Sequence, residues 1–117
     1  MMKLKIKGTF DAAHRLVNYK GKCHELHGHT YHYEIIITGK VDPETGMIVD
    51  FGELKNDIEV FDHSYINDFK DLRDNPTAEN IVQWLVYRIE KIYNVKVVRF
   101  ELWETPNNSV VYENEDL

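Results

Sequence analysis

Lys3-Leu4-Lys5-Ile6-Lys7-Gly8-Thr9-Phe10-Asp11-Ala12-Ala13-His14 decides the fold. Leu4, Ile6, Gly8, Phe10, Ala12 and His14 fall at even positions, while Lys3, Lys5, Lys7 and Asp11 fall at odd ones. A period of two means a strand with one face against protein and the other toward water. If the strand runs to its end, His14 shares the buried face with Leu4, Ile6 and Phe10. The basic, polar stretch that follows, 15–22, reads as a loop. A second strand, rich in tyrosine and isoleucine, is expected over about 29–40. Asp42-Pro43-Glu44-Thr45-Gly46 then reads as a hairpin connection, because Pro43 presets one turn dihedral and Gly46 can take positive φ. Met47-Ile48-Val49 is therefore expected to return as a short third strand.

Farther along the chain the period changes. Asp50 has the character of an N-cap, with Glu53 three residues on, and Phe51, Leu54, Ile58 and Phe61 recur at helical spacing, so a helix is expected over 51–61. Asn75-Pro76-Thr77 announces a second helix, in which Pro76 interrupts the preceding chain and Thr77 can cap. Its apolar stripe is Ile81, Trp84, Leu85, Val86, Ile89 and Ile92. Residues 95–103 alternate again. After Thr105-Pro106-Asn107-Asn108, Ser109-Val110-Val111-Tyr112 reads as a last strand, with a charged tail that frays. The class expected is α+β, an antiparallel sheet of four to five strands with both helices on one face. Such a sheet leaves one face uncovered and two edges unpaired, and oligomerisation is the simplest remedy.

The chain has 117 residues, 43% hydrophobic and 29% charged, and is read as a single domain over 1–117. No apolar run approaches the roughly 20 residues of a membrane helix, and the alternating start is unlike a signal-peptide core. A cytoplasmic protein is expected. One cysteine makes no internal disulfide, which suits a reducing compartment. A net charge of −6 argues against nucleic acid or an anionic membrane as the main partner, although Arg15, Lys20 and Lys22 form a local basic patch for an anionic small molecule.

Chemistry concentrates in Cys23-His24-Glu25-Leu26-His27-Gly28-His29. On an extended chain His27 and His29 project to one side, roughly 6.6 to 7 Å apart along the strand. A histidine pair around a glycine is by itself more often a turn feature than a ligand pair. His14 from a neighbouring strand changes that reading, because three nitrogens at roughly 2.0 to 2.1 Å leave a fourth position open, as catalytic zinc requires. A closed structural zinc site would want a cysteine pair that this chain lacks. His24 and His32 are out of phase with the set. Cys23, between lysines and histidines, suits a proton-transfer residue or nucleophile more than inert packing. Asp62-His63 offers a carboxylate that can orient an imidazole. Glu104 continues the phase of Val98, Phe100 and Leu102, which puts a carboxylate on an apolar strand face. There it either turns to water or accepts paired N–H groups from a ligand.

Six ordered motifs now stand together: Phe10-Asp11-Ala12-Ala13-His14, Cys23-x₃-His27-Gly28-His29, Val49-Asp50-Phe51-x₂-Leu54-Lys55, Asp62-His63-x₂-Ile66-Asn67, Asn75-Pro76-Thr77-x-Glu79-Asn80 and Glu104-Thr105-x-Asn107-Asn108. Over nearly the whole chain they resemble the 6-pyruvoyl-tetrahydropterin synthase family, which includes 6-carboxy-tetrahydropterin synthase of the queuosine pathway. The resemblance implies a tunnelling fold whose subunits join their sheets into a barrel as trimers. Two trimers stack as a homohexamer with active sites at subunit interfaces. It also implies that His14, His27 and His29 bind zinc, that Cys23, Asp62 and His63 transfer protons, and that Glu104, helped by Thr105, anchors the pterin of 7,8-dihydroneopterin triphosphate.

Two products stay open. The three residues between Cys23 and His27 resemble the queuosine-type spacing and imply 6-carboxy-tetrahydropterin with loss of acetaldehyde and triphosphate. The stretch from Glu104 to Tyr112 looks more like the pyruvoyl synthases. The catalytic loop bears more directly on carbon–carbon cleavage, so the 6-carboxy product is preferred. A zinc hydrolase with three histidines, or a pterin-binding homologue without turnover, is the reading from another class. The hydrolase requires neither Cys23 nor Glu104.

Overall fold

A computed structural model describes residues 1–117. Five strands and two α-helices follow in the order β1 (Lys3–His14), β2 (His27–Thr38), α1 (Phe51–Ile58), β3 (Ser64–Tyr65), α2 (Ala78–Tyr93), β4 (Lys96–Thr105) and β5 (Asn108–Glu113). They form one sheet in the order β3-β1-β2-β4-β5. All pairings are antiparallel except that of β3, which lies parallel to Ala12 and Ala13 of β1. No helix is long and apolar enough to cross a membrane.

The alternation of β1 survives folding. Ile6, Phe10, Ala12 and His14 are buried, and they face Tyr31, Tyr33, Ile35 and Ile37 of β2 and Phe100 and Leu102 of β4 across one continuous core. Phe10 and Tyr31 stack with ring centroids 4.9 Å apart. Fully burying side chains of this size contributes about 1.5 to 3 kcal/mol each, so the stripe fixes register as well as stability. Gly8 belongs to the same face for a steric reason. A Cβ there would lie 2.5 Å from the Tyr33 hydroxyl, which crosses over it to donate to Glu59 Oε2 at 2.6 Å.

Both helix starts follow their caps. The Asp50 carboxylate accepts the Glu53 N–H at 3.0 Å, and the Thr77 hydroxyl accepts that of Asn80 at 3.1 Å. Leu54 and Ile58 of α1, and Ile81, Leu85 and Ile89 of α2, enter the core beside the sheet. The opposite face carries charge, with Lys5 Nζ 3.2 Å from Glu34 and Arg99 paired to Glu101 at 2.9 Å.

Five expectations are corrected. Residues 47–49 are not a strand. Gly46 does take φ 73°, and the Asp42 N–H donates to the Met47 carbonyl at 2.9 Å, but the chain then turns toward α1 and buries Val49 in the core instead of pairing it. The additional strand is β3, whose two residues carry no periodicity to read. The first helix is α-helical only to Ile58 and ends in a 3₁₀ turn over Glu59–Phe61. Phe51 and Ile92, counted in the apolar stripes, are exposed at 57% and 48%. In β4 the register shifts between Ile36 and Ile37, where Val97 pairs with Ile37 and Arg99 with Ile36. Val98 is the extra, bulged residue and Val97 takes its place in the core. Beyond the bulge, Phe100 and Leu102 keep the expected phase. The tail is also tied down at its start, since the Asn114 N–H donates to the Val98 carbonyl at 3.0 Å.

Candidate metal centre and active site

The β1–β2 register builds the histidine cluster. His14 lies directly opposite His27, and Ala12 opposite His29, so all three imidazoles leave the same face at one end of the strand pair. One ligand nitrogen from each lies within 4.8 Å of the other two. His14 is fully buried and the other two are half-buried.

Two of the rings are oriented by main-chain carbonyls. His14 Nδ1–H donates to the Pro76 carbonyl at 2.8 Å, and His27 Nδ1–H donates to that of Glu25 at 2.8 Å. A carbonyl only accepts, so in both neutral rings the proton sits on Nδ1 and Nε2 carries the lone pair. Those two Nε2 atoms face each other at 3.0 Å. Two lone pairs at that distance repel unless a cation lies between them, and tetrahedral zinc with bonds of about 2.0 to 2.1 Å would hold such nitrogens about 3.3 Å apart. His29 Nε2 is buried with no hydrogen-bond partner. This donor set fits zinc: three neutral imidazoles, two of them locked through the far nitrogen in the manner of metal-binding histidines. Burial is the main influence that lowers the proton affinity of His14, against the Pro76 bond and the Glu104 charge, which raise it. Burial likewise lowers that of His29, opposed by Glu104.

Glu104 stands beside the cluster, with Oε1 3.5 Å from His29 Nε2 and Oε2 3.9 Å from His14 Nε2. It also lines a cleft of about 240 Å³ whose other walls include Thr77, Ala78 and Glu79 at the start of α2 and Asn108 and Ser109 of β5. The carboxylate therefore joins the histidine cluster to a cavity. Thr105 does not line that cleft. Its hydroxyl accepts from the Asn107 N–H and Asn108 Nδ2 at 3.4 and 3.2 Å, and so shapes the β4–β5 turn next to Glu104.

Asp62 and His63 are brought together elsewhere, on the outer edge of β1. Asp62 Oδ1 accepts the Asp11 N–H at 2.9 Å, the His63 N–H donates to the Asp11 carbonyl at 2.7 Å, and Asp62 Oδ2 lies 3.6 Å from His63 Nε2. His63 holds φ 59°, a backbone conformation that residues other than glycine seldom adopt, and its imidazole is 81% exposed. Cys23 sits half-buried in the short 3₁₀ turn Lys22–His24, and no hydrogen bond joins its thiol to either group. These seven residues thus form two sets, His14, His27, His29 and Glu104 in one and Asp62 and His63 in the other, with Cys23 as a separate thiol. His24 and His32 are exposed and outside all of them.

Sequence reasoning missed several supports. The Tyr31 hydroxyl lies 3.3 Å from His14 Nδ1, and Tyr31 shares the phase of His27 and His29, which was the available signal. The Pro76 and Glu25 carbonyls left none, because a main-chain acceptor has no residue signature.

Comparison with known proteins accords with this geometry. The family described as 6-pyruvoyl tetrahydropterin synthase matches residues 3–115. A 6-carboxy-5,6,7,8-tetrahydropterin synthase of Rickettsia bellii is 38% identical, over 92% of this chain and 96% of that one. A dihydroneopterin monophosphate aldolase of Pyrococcus furiosus is 37% identical, over 84% and 85%. The solved Caenorhabditis elegans 6-pyruvoyl tetrahydropterin synthase superposes with a TM-score of 0.76 at 25% identity, covering 97% of this chain and 96% of that one. A three-histidine cluster on paired strands, a carboxylate-lined cleft beside it and a family match along almost the full length lead to one conclusion: the chain belongs to the 6-pyruvoyl tetrahydropterin synthase family.

Proposed function

We propose that this protein converts 7,8-dihydroneopterin triphosphate and water to 6-carboxy-5,6,7,8-tetrahydropterin, acetaldehyde and triphosphate, with zinc held by His14, His27 and His29. The observation that carries the reading is the adjacency of the histidine cluster to the Glu104 cleft, within 3.5 Å. A pterin in that cleft presents adjacent N–H donors to Glu104, and the paired oxygens of a carboxylate suit them. Its side chain then extends over the histidines. Zinc there supplies a Lewis acid for the side-chain hydroxyls. Cys23, acting as the thiolate, takes a proton from the side chain and the protonated His63 ring returns one, with Asp62 holding that ring in place. Arg15, whose Nε is enclosed without a partner, receives the triphosphate together with Lys20 and Lys22.

The 6-carboxy product is preferred on two grounds: the three-residue spacer from Cys23 to His27, and the Rickettsia relative of that name. The β4–β5 segment, Glu104 to Tyr112, favours the second reading, a 6-pyruvoyl product. In either case the acid–base set is completed between subunits. Chains join through the free edges of the sheet into a trimeric barrel, and two trimers stack as a hexamer, which brings the exposed Asp62–His63 pair of one chain to Cys23 of another. The lone thiol suits a cytoplasmic setting.

Mass spectrometry of products from zinc-loaded protein and dihydroneopterin triphosphate tests this. Acetaldehyde with a 6-carboxy-pterin supports the main reading, and a pyruvoyl-pterin supports the second. An aldehyde fragment released from the monophosphate but not the triphosphate would reassign the chain to aldolase chemistry. No turnover of either overturns the enzyme reading.

A further inference from the structure

Asn67 is one of three buried polar residues, 5% exposed, and its side chain bonds the residue next to His14. Its Oδ1 accepts the Arg15 N–H at 3.0 Å, while Nδ2 donates to the Arg15 carbonyl at 2.9 Å and to the Arg73 carbonyl at 2.7 Å. The first two bonds grip the residue that directly follows His14 by both its backbone groups, as a neighbouring strand would. The third reaches the start of a run of four carbonyls that all accept hydrogen bonds. After Arg73, the Asp74 carbonyl accepts from the Val17 N–H at 3.1 Å and that of Asn75 from Asn80 Nδ2 at 2.8 Å. The fourth, Pro76, is the carbonyl that orients the His14 ring.

One carboxamide therefore fixes His14 from two sides: the backbone from which it hangs, and the loop that aims its imidazole. Asparagine suits this place, since aspartate has no donors and leucine no polar group at all. Asn67 also ends the segment that is clipped to β1 at Asp11 through Asp62 and His63. We propose that Asn67 is a positioning residue for the metal centre, holding His14 Nε2 at its ligand position while tying the Asp62–His63 segment to the same strand. This rests on the reading that His14 binds zinc.

The test compares zinc affinity, by chelator competition, and the cobalt(II) ligand-field spectrum in the wild type, Asn67→Ala, Asn67→Asp and Arg88→Ala. Arg88 ties α1 to α2 through Asp57 at 3.0 Å, so Arg88→Ala serves as a destabilised control. Both Asn67 variants are expected to bind zinc roughly ten-fold more weakly, as loss of supporting bonds around metal ligands does, and to shift the cobalt bands. Arg88→Ala should leave both readouts at wild-type values. Wild-type affinity and spectrum in the Asn67 variants, with only a lower Tm, would overturn the proposal. Should the variants not fold, exchange of the Arg15 amide in the wild type decides. Zinc is expected to slow it several-fold, by reciprocity between the clamp and the ion, and unchanged exchange overturns the proposal. If the wild type binds neither ion, the metal reading itself fails and this proposal with it. Wild-type binding with unaffected variants removes only the role of Asn67.

Discussion

The inner face and the outer edge of β1 carry the two residue sets of the proposed site, and they are built differently. On the inner face His14 meets His27 and His29 through strand register, with rings packed at centroid distances of 4.5 to 5.2 Å and two of them locked onto carbonyls. On the edge, Asp62 and His63 are held as firmly by Asp11, yet His63 projects 81% exposed, in a strained conformation, with no thiol in reach. Within its own chain the His63 ring meets only the Asp62 carboxylate, at 3.6 Å, and the rim of a cleft that His29 also lines, so the proposed reading gives it a neighbouring chain to act on. Strain of this kind persists where surrounding structure imposes it, and it concentrates at functional positions. The three histidines meet within one chain, while under the proposed reading the Asp62–His63 pair acts with a second chain.

Substitutions can break that contrast. His14→Ala should have the largest effect, abolishing turnover and weakening zinc by more than the roughly 100-fold that loss of a supporting bond produces. Metal analysis after dialysis checks it. Cys23→Ala should retain full zinc while turnover falls by about 10² to 10⁴, the range of a lost acid–base residue. A three-histidine hydrolase would keep most of its activity in this variant, so steady-state rates separate the two classes. His63→Gly sharpens the edge half, since it removes the left-handed penalty and should raise stability in urea by up to about 1 kcal/mol while activity falls. A destabilised variant would show that the imidazole holds the fold.

The smallest effect concerns pH. Burial, chiefly, raises the phenols of Tyr31 and Tyr33 well above their usual 10, with the Glu59 bond adding to it at Tyr33. Above pH 10 the unfolded chain loses these protons and the folded chain keeps them, so stability declines as pH rises beyond that value. Phenolate absorbance from these two residues should appear only with unfolding. Urea midpoints on either side of pH 10 check the sign, which Tyr33→Phe should weaken.

The sequence made the inner half legible because register and phase are written in alternation. Phe10, Ala12 and His14 on one strand, and His27, His29 and Tyr31 on the next, share one face by period alone. Helix caps at Asp50 and Thr77 were equally readable, since a cap is a local hydrogen bond. What escaped reading depends on tertiary context. The Val98 bulge moved Val97 into the core, which no local pattern marks, and Met47-Ile48-Val49 had strand composition but only buries Val49 in the core without pairing. The supports of the site were hidden for a related reason. Pro76 and Glu25 act through carbonyls, and the carboxamide of Asn67 matters through what it grips 52 positions away.

Co-expression of two inactive variants tests the contrast most directly. Cys23→Ala and Asp62→Asn should each fail alone on dihydroneopterin triphosphate with zinc bound. If the site combines Cys23 of one chain with Asp62 and His63 of another, mixed oligomers carry intact sites at roughly a quarter of positions, and turnover returns to about that fraction of wild type. Mixed oligomers as inactive as either parent would contradict the account, since they would place all three residues in one chain.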